Sequence, residues 1–185
     1  MAGKQIALIR GINVGKAKRV AMSDLRELCI NLGFTDVKTL LNSGNVVFTA
    51  PRTTSAKTSN LIENALFESF GISAKVIVIT KAELSAIVKE NVIAKIALDP
   101  SRLLVSVLAD ASDAKRLKHL EKKNWKPEAL SVGKHAVYQW CPDGILTSKA
   151  AQTVASELGD SVTARNWATI LKLDALASVD KLQNG

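Results

Sequence analysis

Residues 6–19 read IALIRGINVGKAKR, a short apolar run followed by two glycines and then three cations within four positions. Four consecutive apolar residues favour a β-strand covered on both faces, although so short a run also occurs inside helices. Gly11 and Gly15 lack a Cβ, so the segment after the strand can adopt positive φ and bring backbone N–H groups close to a ligand. The stretch therefore predicts a central strand that ends in an exposed, basic loop.

Apolar periodicity and turn residues divide residues 1–80 into six elements. Ser23 is a candidate cap for the first helix and Gly33 a candidate end, while Ser43-Gly44 predicts a hairpin turn. The polar residues 51–59 predict a surface loop. In chain order the elements are a strand at 6–9, a helix at 23–33, strands at 37–42 and 45–49, a helix at 60–70 and a strand at 74–79. This βαββαβ order predicts an α+β first domain of the ferredoxin-like type, with an antiparallel sheet and both helices on one face.

Residues 81–185 predict a second, smaller α+β domain that ends in a C-terminal helix. Thr80 and Glu83 form a capping box at its start, and Gly133-Lys134 predicts another hairpin turn. The predicted elements are a strand at 103–108, a helix at 112–123, strands at 128–132 and 136–140, a helix at 148–158 and a last helix from about 164 with Thr163 as its cap. The two halves use a similar order of helix and hairpin, but we find no sequence repeat.

The composition favours an anionic partner and a cytoplasmic location. The formal net charge is +8, of which residues 1–80 contribute +5 and residues 81–185 contribute +3, and such an excess attracts anions in general. Cys29 and Cys141 lie far apart in apolar surroundings, which predicts reduced core residues. No apolar run approaches the roughly 18 residues of a membrane span, so we expect no membrane partner. The sequence contains no metal-ligand spacing and no cofactor motif, so we expect neither a metal nor a cofactor.

The loop after the first strand is the main candidate site. It resembles a nucleotide-binding P-loop, but only three residues separate Gly11 from Gly15, and Ala17 has no hydroxyl for a magnesium ion. A looser anion site uses the same physics, and the hairpin turn is expected beside it because the third strand runs antiparallel to the first. The predicted ligand-binding residues are Arg10, Gly11, Asn13, Gly15, Lys16, Lys18, Arg19, Ser43 and Asn45. The alternative is an ordinary connecting loop, in which Asn45 supports the hairpin conformation.

Arg165-Asn166-Trp167 is a second candidate site. It is predicted at a helix N-terminus, where unpaired N–H groups and the helix dipole favour an anion. The alternative is structural, with Trp167 anchored in the core and Arg165 paired with an acidic side chain.

Enzymatic and nucleic-acid functions have less support in the sequence. His119 and His135 lack a neighbour that would complete a catalytic triad or a metal site. An RNA-recognition module shares the βαββαβ order but requires exposed aromatics on the first and third strands, which here offer only Phe48. A basic cluster at residues 122–126 contains one aromatic, Trp125, and could contact a nucleic-acid backbone, although a solvated helix end is the simpler interpretation.

Three segments, RGINVGKAKR, MSDLRELCINLGFTDVKTLLNSGNVVF and TARNWATILKL, resemble an uncharacterised bacterial family known as domain of unknown function sixteen ninety-seven. Ala17 departs from this pattern, since similar sequences often carry glycine or a polar residue there. The resemblance implies a two-part α+β architecture with a ferredoxin-like first half, and it implies no activity. From the residues we predict a cytoplasmic protein that binds an anionic, for example phosphorylated, small ligand. The alternatives are a nucleic-acid-binding module and a structural or partner-binding protein.

Overall fold

The computed structural model describes residues 3–13, 19–51 and 53–179. The chain divides into two compact units. The first contains the described chain as far as Lys81 together with the part that follows Lys172, and the second spans Ala82–Lys172. Each unit contains a four-stranded antiparallel sheet with helices, which confirms the α+β class. Among the described helices, none has both the length and the apolar content needed to cross a membrane.

The first unit follows the predicted order of strands and helices. Its elements are β1 (Gly3–Ile9), α1 (Met22–Asn31), β2 (Thr35–Leu40), β3 (Asn45–Ala50), α2 (Ser55–Phe70) and β4 (Val76–Thr80). The strands lie in the order β2-β3-β1-β4, so β1 is central and its Ile6 pairs with Val47 on one side and Ile79 on the other. Alternate side chains of β1 point to opposite faces of the sheet.

Both faces of β1 are buried, as the apolar run predicts. Ala7 and Ile9 belong to a core cluster that includes Leu25 of α1 and Ile62 of α2. On the opposite face, the neighbouring side chain of Ile6 is 0% exposed. The first strand is therefore covered by protein on both sides.

Two helix starts differ from the prediction. α1 begins at Met22 after Ala21, which makes no side-chain cap, and the Ser23 hydroxyl instead donates to the Asp24 carboxylate. The surface loop predicted at 51–59 is also wrong, because α2 begins at Ser55 with Thr54 as its cap. The hydroxyl of Thr58 donates to the Thr54 carbonyl, a local bond that lets polar residues occupy the first turns of a helix.

The second unit repeats the strand arrangement of the first. The remaining elements are α3 (Lys81–Glu90), β5 (Leu103–Leu108), α4 (Asp113–Leu117), β6 (Ala129–Val132), β7 (Ala136–Trp140), α5 (Lys149–Leu158), β8 (Val162–Asn166) and α6 (Trp167–Ser178). The sheet order is β6-β7-β5-β8, so β5 to β8 occupy the positions of β1 to β4, and α4 and α5 follow the same strands as α1 and α2. This is a repeat of structure that the sequence does not display.

The prediction of a helix from about residue 164 is wrong at its start. Residues 162–166 form β8, in which Val162 pairs with Leu108 and Asn166 with Leu104. Thr163 is buried and pairs with Val107 instead of capping a helix. The strand passes directly into α6 without an intervening turn residue. Thr163 therefore resembled a helix cap in the sequence, and no turn residue marked the end of a strand. The second sheet has as many strands as the first, and the end of α6 groups with the first unit.

Candidate functional site

The end of β1 lies beside the β2–β3 turn and the start of β4. The Ile9 N–H donates to the Gly44 carbonyl at 2.8 Å, and the Arg10 N–H donates to the Lys75 carbonyl at 2.8 Å. Gly11 follows with φ of 72°, a left-handed conformation that glycine adopts without steric cost. These contacts place the described start of the basic loop next to the hairpin turn, as the antiparallel pairing of β1 and β3 predicts.

Asn13 holds the loop together through its side chain. Its Nδ2 donates to the carbonyls of Val20 and Asn42, both at 2.9 Å, and its Oδ1 accepts from the Val20 N–H at 2.8 Å. Its φ is 58°, which Asn tolerates better than most residues. The protein backbone thus bonds to both ends of the amide, which favours a structural role for Asn13 over the expected ligand-orienting one.

Asn45 has a structural role as well. The residue is 0% exposed, and its Nδ2 donates to the Leu40 carbonyl at 3.0 Å and to the Ser43 hydroxyl at 2.9 Å. It lies opposite Leu8 in the β1–β3 ladder, so the predicted neighbourhood is correct. A fully buried amide cannot contact a ligand directly, and Asn45 instead supports the turn.

A cleft of about 580 Å³ opens where the loop meets the start of α1. Its walls are formed by Asn13, Arg19, Val20, Ala21, Met22 and Asn42. Because Ala21 provides no side-chain cap, the first backbone N–H groups of α1 have no side-chain acceptor at the N-cap position. The cleft thus combines an arginine with a helix N-terminus, two features that favour an anion.

The predicted site is brought together only in part. Arg19 lines the cleft, whereas Gly15, Lys16 and Lys18 lie outside the described residues. The sequence did not point to Asn42 or to the backbone of Ala21 and Met22. Backbone groups are the same in all residue types, so the sequence does not indicate which of them line a cleft.

The relatives of the chain agree with this architecture. A family described as a protein of unknown function (DUF1697) matches residues 2–138. The chain belongs to the DUF1697 family. One similar solved structure is that of the conserved bacterial protein SP0830 from Streptococcus pneumoniae, with a TM-score of 0.77, 22% identity, and coverage of 96% of this chain and 99% of that chain. At this identity the likeness concerns the fold alone. No curated protein matches the chain.

In this DUF1697 chain, Arg165 and Asn166 of the second candidate site make hydrogen bonds within the protein. Asn166 ends β8, and its Oδ1 accepts from both the N–H and the hydroxyl of Thr169, at 2.9 Å and 2.7 Å, so the amide caps α6. The Arg165 guanidinium donates to the Ala164 carbonyl at 2.8 Å. Burial lowers the pKa of Arg165 to about 10, so the side chain remains charged at neutral pH. Trp167 is half-buried at the first position of α6.

Each of the two histidines lies beside a glutamate, and the described part of the chain contains no group of three metal-ligating side chains. His119 lies 3.3 Å from Glu157, and His135 lies 3.9 Å from Glu83. The thiols of Cys29 and Cys141 are buried and free, as predicted. Burial raises the pKa of Cys29 to about 12, which removes the thiolate that a nucleophile requires.

Proposed function

We propose that the chain binds an anionic small ligand, such as a phosphate ester, in the cleft between the loop after β1 and the N-terminus of α1. The observation that carries the proposal is the position of Arg19 at a cleft that also contains a helix start without a side-chain cap. Lys16 and Lys18 precede Arg19 in the sequence and would add positive charge. Asn13 and Asn45 act on the loop and the turn instead of on the ligand.

The size and charge of the cleft suit such a ligand. A volume of about 580 Å³ falls within the roughly 300–1,000 Å³ that small-molecule sites occupy, which is enough for a sugar phosphate or a mononucleotide. Backbone N–H groups at a helix start bind anions, and the helix dipole adds about 0.3–1 kcal/mol. An arginine can donate two parallel hydrogen bonds to one phosphate.

The finer fold assignment is part of this proposal. The βαββαβ order of the first unit and its strand order β2-β3-β1-β4 support a ferredoxin-like arrangement. The free, buried cysteines support a reducing, cytoplasmic environment.

The buried sheet of the first unit argues against one mode of nucleic-acid binding, the stacking of bases on the face of the sheet. RNA-recognition modules stack bases on the open face of their sheet, but here Ile6, Val47 and Ile79, which are paired across three strands, are all buried. Phe48 lies on the other face, in the cluster with the helices, where it stacks on Phe34 at 4.5 Å. Contacts from cations to the nucleic-acid backbone remain possible in the first unit, and they require no stacking on the sheet.

The test is a titration of the full chain with inorganic phosphate, ribose 5-phosphate and a short oligonucleotide, followed by thermal unfolding and calorimetry at low salt. A ligand that binds the native state raises the Tm. Because a charge-assisted hydrogen bond is worth about 1.5–3 kcal/mol, we expect Arg19→Gln to weaken binding of the ester about tenfold or more. The matched control is Lys57→Gln, which removes one charge from α2 away from the cleft and should leave the affinity within about twofold.

The salt dependence separates the alternatives. A single bound anion gives a shallow dependence, whereas a nucleic acid that releases several counterions gives a steep one. Preferential, steeply salt-dependent binding of the oligonucleotide would replace the proposal with the nucleic-acid alternative. If no anion raises the Tm, or if Arg19→Gln and Lys57→Gln behave alike, the proposed site is wrong.

A further inference from the structure

The second unit contains a separate cleft of about 380 Å³ between the chain that precedes β6 and the turn that precedes α5. Trp125 and Lys126 line it from one side, and Asp143 and Lys149 line it from the other. All of these residues belong to the second unit, so the cleft is distinct from the one beside α1. It gathers an aromatic ring, two ammonium groups and the carboxylates of Glu128 and Asp143 around a space large enough for a small molecule.

Glu128 fixes one wall of this cleft. Its carboxylate accepts from the Ser148 hydroxyl at 2.8 Å, from the Lys149 N–H at 3.0 Å and from the Ala150 N–H at 2.9 Å. The N-terminus of α5 is therefore already occupied by the protein's own anion. The charge of Glu128 is compensated by this helix start, which leaves the two lysines of the cleft without competition from it.

The ammonium groups of Lys126 and Lys149 have no acceptor in the described chain. The only hydrogen bonds recorded for these two residues involve backbone atoms, and neither residue forms an ion pair. Asp143 is the one carboxylate of the lining besides Glu128. With the Glu128 carboxylate bound to the start of α5, the two ammonium groups share the cleft with one further carboxylate, that of Asp143.

Trp125 is held with part of its ring surface accessible. Its indole N–H donates to the Leu120 carbonyl at 2.8 Å, and the residue packs in part against the core cluster of the second unit. The ammonium group of Lys123 lies over the ring at 5.8 Å from its centroid. Because the exposed Lys123 side chain lies over this face, the core does not cover it. A fixed ring with one open face is a stacking platform for a planar group.

We propose that this cleft binds a nucleotide, with its base stacked on the accessible ring surface of Trp125 and its phosphate held by Lys126 and Lys149. Asp143 would then accept hydrogen bonds from the ribose hydroxyls or the base edge. Each component matches one part of the ligand: stacking on an aromatic side chain is worth about 1–3 kcal/mol per base, and lysine is a common point-charge partner for phosphate. The nucleotide can be free or part of a single strand, since both present the same base and phosphate.

The experiment is calorimetric titration of the full chain with AMP, adenosine, ribose 5-phosphate and a short oligo(dT), together with tryptophan fluorescence. We expect AMP to bind at least about fivefold more tightly than adenosine or ribose 5-phosphate, because each of these lacks one half of the recognised group. Lys126→Gln and Lys149→Gln should each weaken AMP binding about threefold or more. The matched control is Lys122→Gln, which removes a neighbouring charge that does not line the cleft and should have no effect.

Trp125→Phe gives a second readout that does not depend on loss of the fold. It keeps a stacking ring, so AMP should still bind within about threefold, while the quenching of fluorescence by AMP disappears. Oligo(dT) that binds more tightly than AMP, with the same response to Lys126→Gln, would identify a single strand as the source of the nucleotide.

Other outcomes overturn this proposal. They are equal affinity for adenosine and AMP, no effect of the two lysine variants, or quenching that persists in Trp125→Phe. AMP binding that is lost in Arg19→Gln but kept in Lys126→Gln would place the ligand beside α1, which supports the proposed function and rejects this second site. If Lys126→Gln loses AMP binding and Arg19→Gln keeps it, AMP binds in this second cleft and not beside α1.

Discussion

Gly44 and Ile12 lie so close together that a Cβ added to Gly44 would stand 2.8 Å from the Cδ1 atom of Ile12. Gly44 has a φ of 74° in the β2–β3 turn, and Ile12 is only 2% exposed. The apolar side chain from the loop after β1 therefore packs directly against the backbone of the turn. This contact joins the two segments from which the predicted site was assembled.

Gly44→Ala should lower the stability of the protein by roughly 2–4 kcal/mol, because it adds left-handed strain of about 1 kcal/mol to overpacking of about 1–3 kcal/mol. The control is Gly11→Ala, which has nearly the same φ of 72° but nothing within 4 Å of the new Cβ. Gly11→Ala should lose only the stability that corresponds to the left-handed strain. Urea unfolding measures the free energy of unfolding of both variants. Equal losses of stability would mean that the Ile12 side chain moves aside without an energetic penalty.

Asn13→Gly should destabilise the loop by about 2 kcal/mol, because three hydrogen bonds of about 0.5–1.5 kcal/mol each are lost. Glycine keeps the positive φ, so the loss reports the amide alone. Hydrogen exchange of the Val20 amide should accelerate, since its acceptor is Asn13 Oδ1. Asn42→Ala is the control, because the Asn13 amide contacts only the backbone carbonyl at that position. Unchanged protection of Val20 would contradict the assigned role.

Glu121 should make stability depend on acid pH. Burial opposes its ionisation, but hydrogen bonds from the Val132 N–H and the Lys118 ammonium outweigh that effect and hold the pKa of the carboxyl below its ordinary value of 4.5. A lowered pKa in the folded state stabilises the protein above the ordinary pKa, and this contribution disappears as the pH falls through the folded value. The stability difference between wild type and Glu121→Gln should therefore shrink between neutral pH and pH values below 4.5. A difference that stays constant with pH would exclude this linkage.

Asn166→Ala should cost about 1 kcal/mol, the usual effect of removing a helix cap. Asn166→Asp retains the oxygen that accepts from Thr169 and places a negative charge at the helix start, so it should preserve the stability. Thermal unfolding of both variants distinguishes a cap from a ligand-binding amide. Equal Tm losses for the two variants would rule out capping as the main role.

The two cysteines should resist a thiol reagent until the protein unfolds. Cys29 is 0% exposed and Cys141 is 1% exposed, and burial raises the pKa of both thiols. Labelling with DTNB should follow the urea unfolding curve, with two thiols reacting per unfolded chain. Rapid labelling under native conditions would show that one of these core regions opens without global unfolding.

Hydrophobic periodicity predicted most strands and helices because each of them buries an apolar face. β8 escaped this reasoning because the residues VTARN carry only one large apolar side chain, and the strand is defined by its pairing with β5. The start of α2 was missed for a similar reason, since the hydroxyl of Thr58 is satisfied by a backbone contact that composition does not encode.

The candidate site was predicted by location more accurately than by residue role. Asn13 and Asn45 were correctly placed beside the end of β1, but polar side chains bond to ligands and to backbone with the same chemistry. Which of the two occurs depends on contacts distant in sequence, such as the bond from Asn13 to the Asn42 carbonyl. The burial of the two cysteines was predicted from their apolar neighbours in the sequence and needed no such long-range information.

The shared strand order gives every feature of the first unit a positional counterpart in the second. The counterpart of the basic loop after β1 is the short connection after β5. There the Asp110 carboxylate accepts from the Ser112 N–H, so this connection carries a negative charge where the first unit carries positive ones. The two units therefore share a strand order but carry charges of opposite sign at this equivalent position. Under the proposed function, an anion would bind after β1 and be repelled after β5, so the second unit offers a reference position for the first within the same polypeptide.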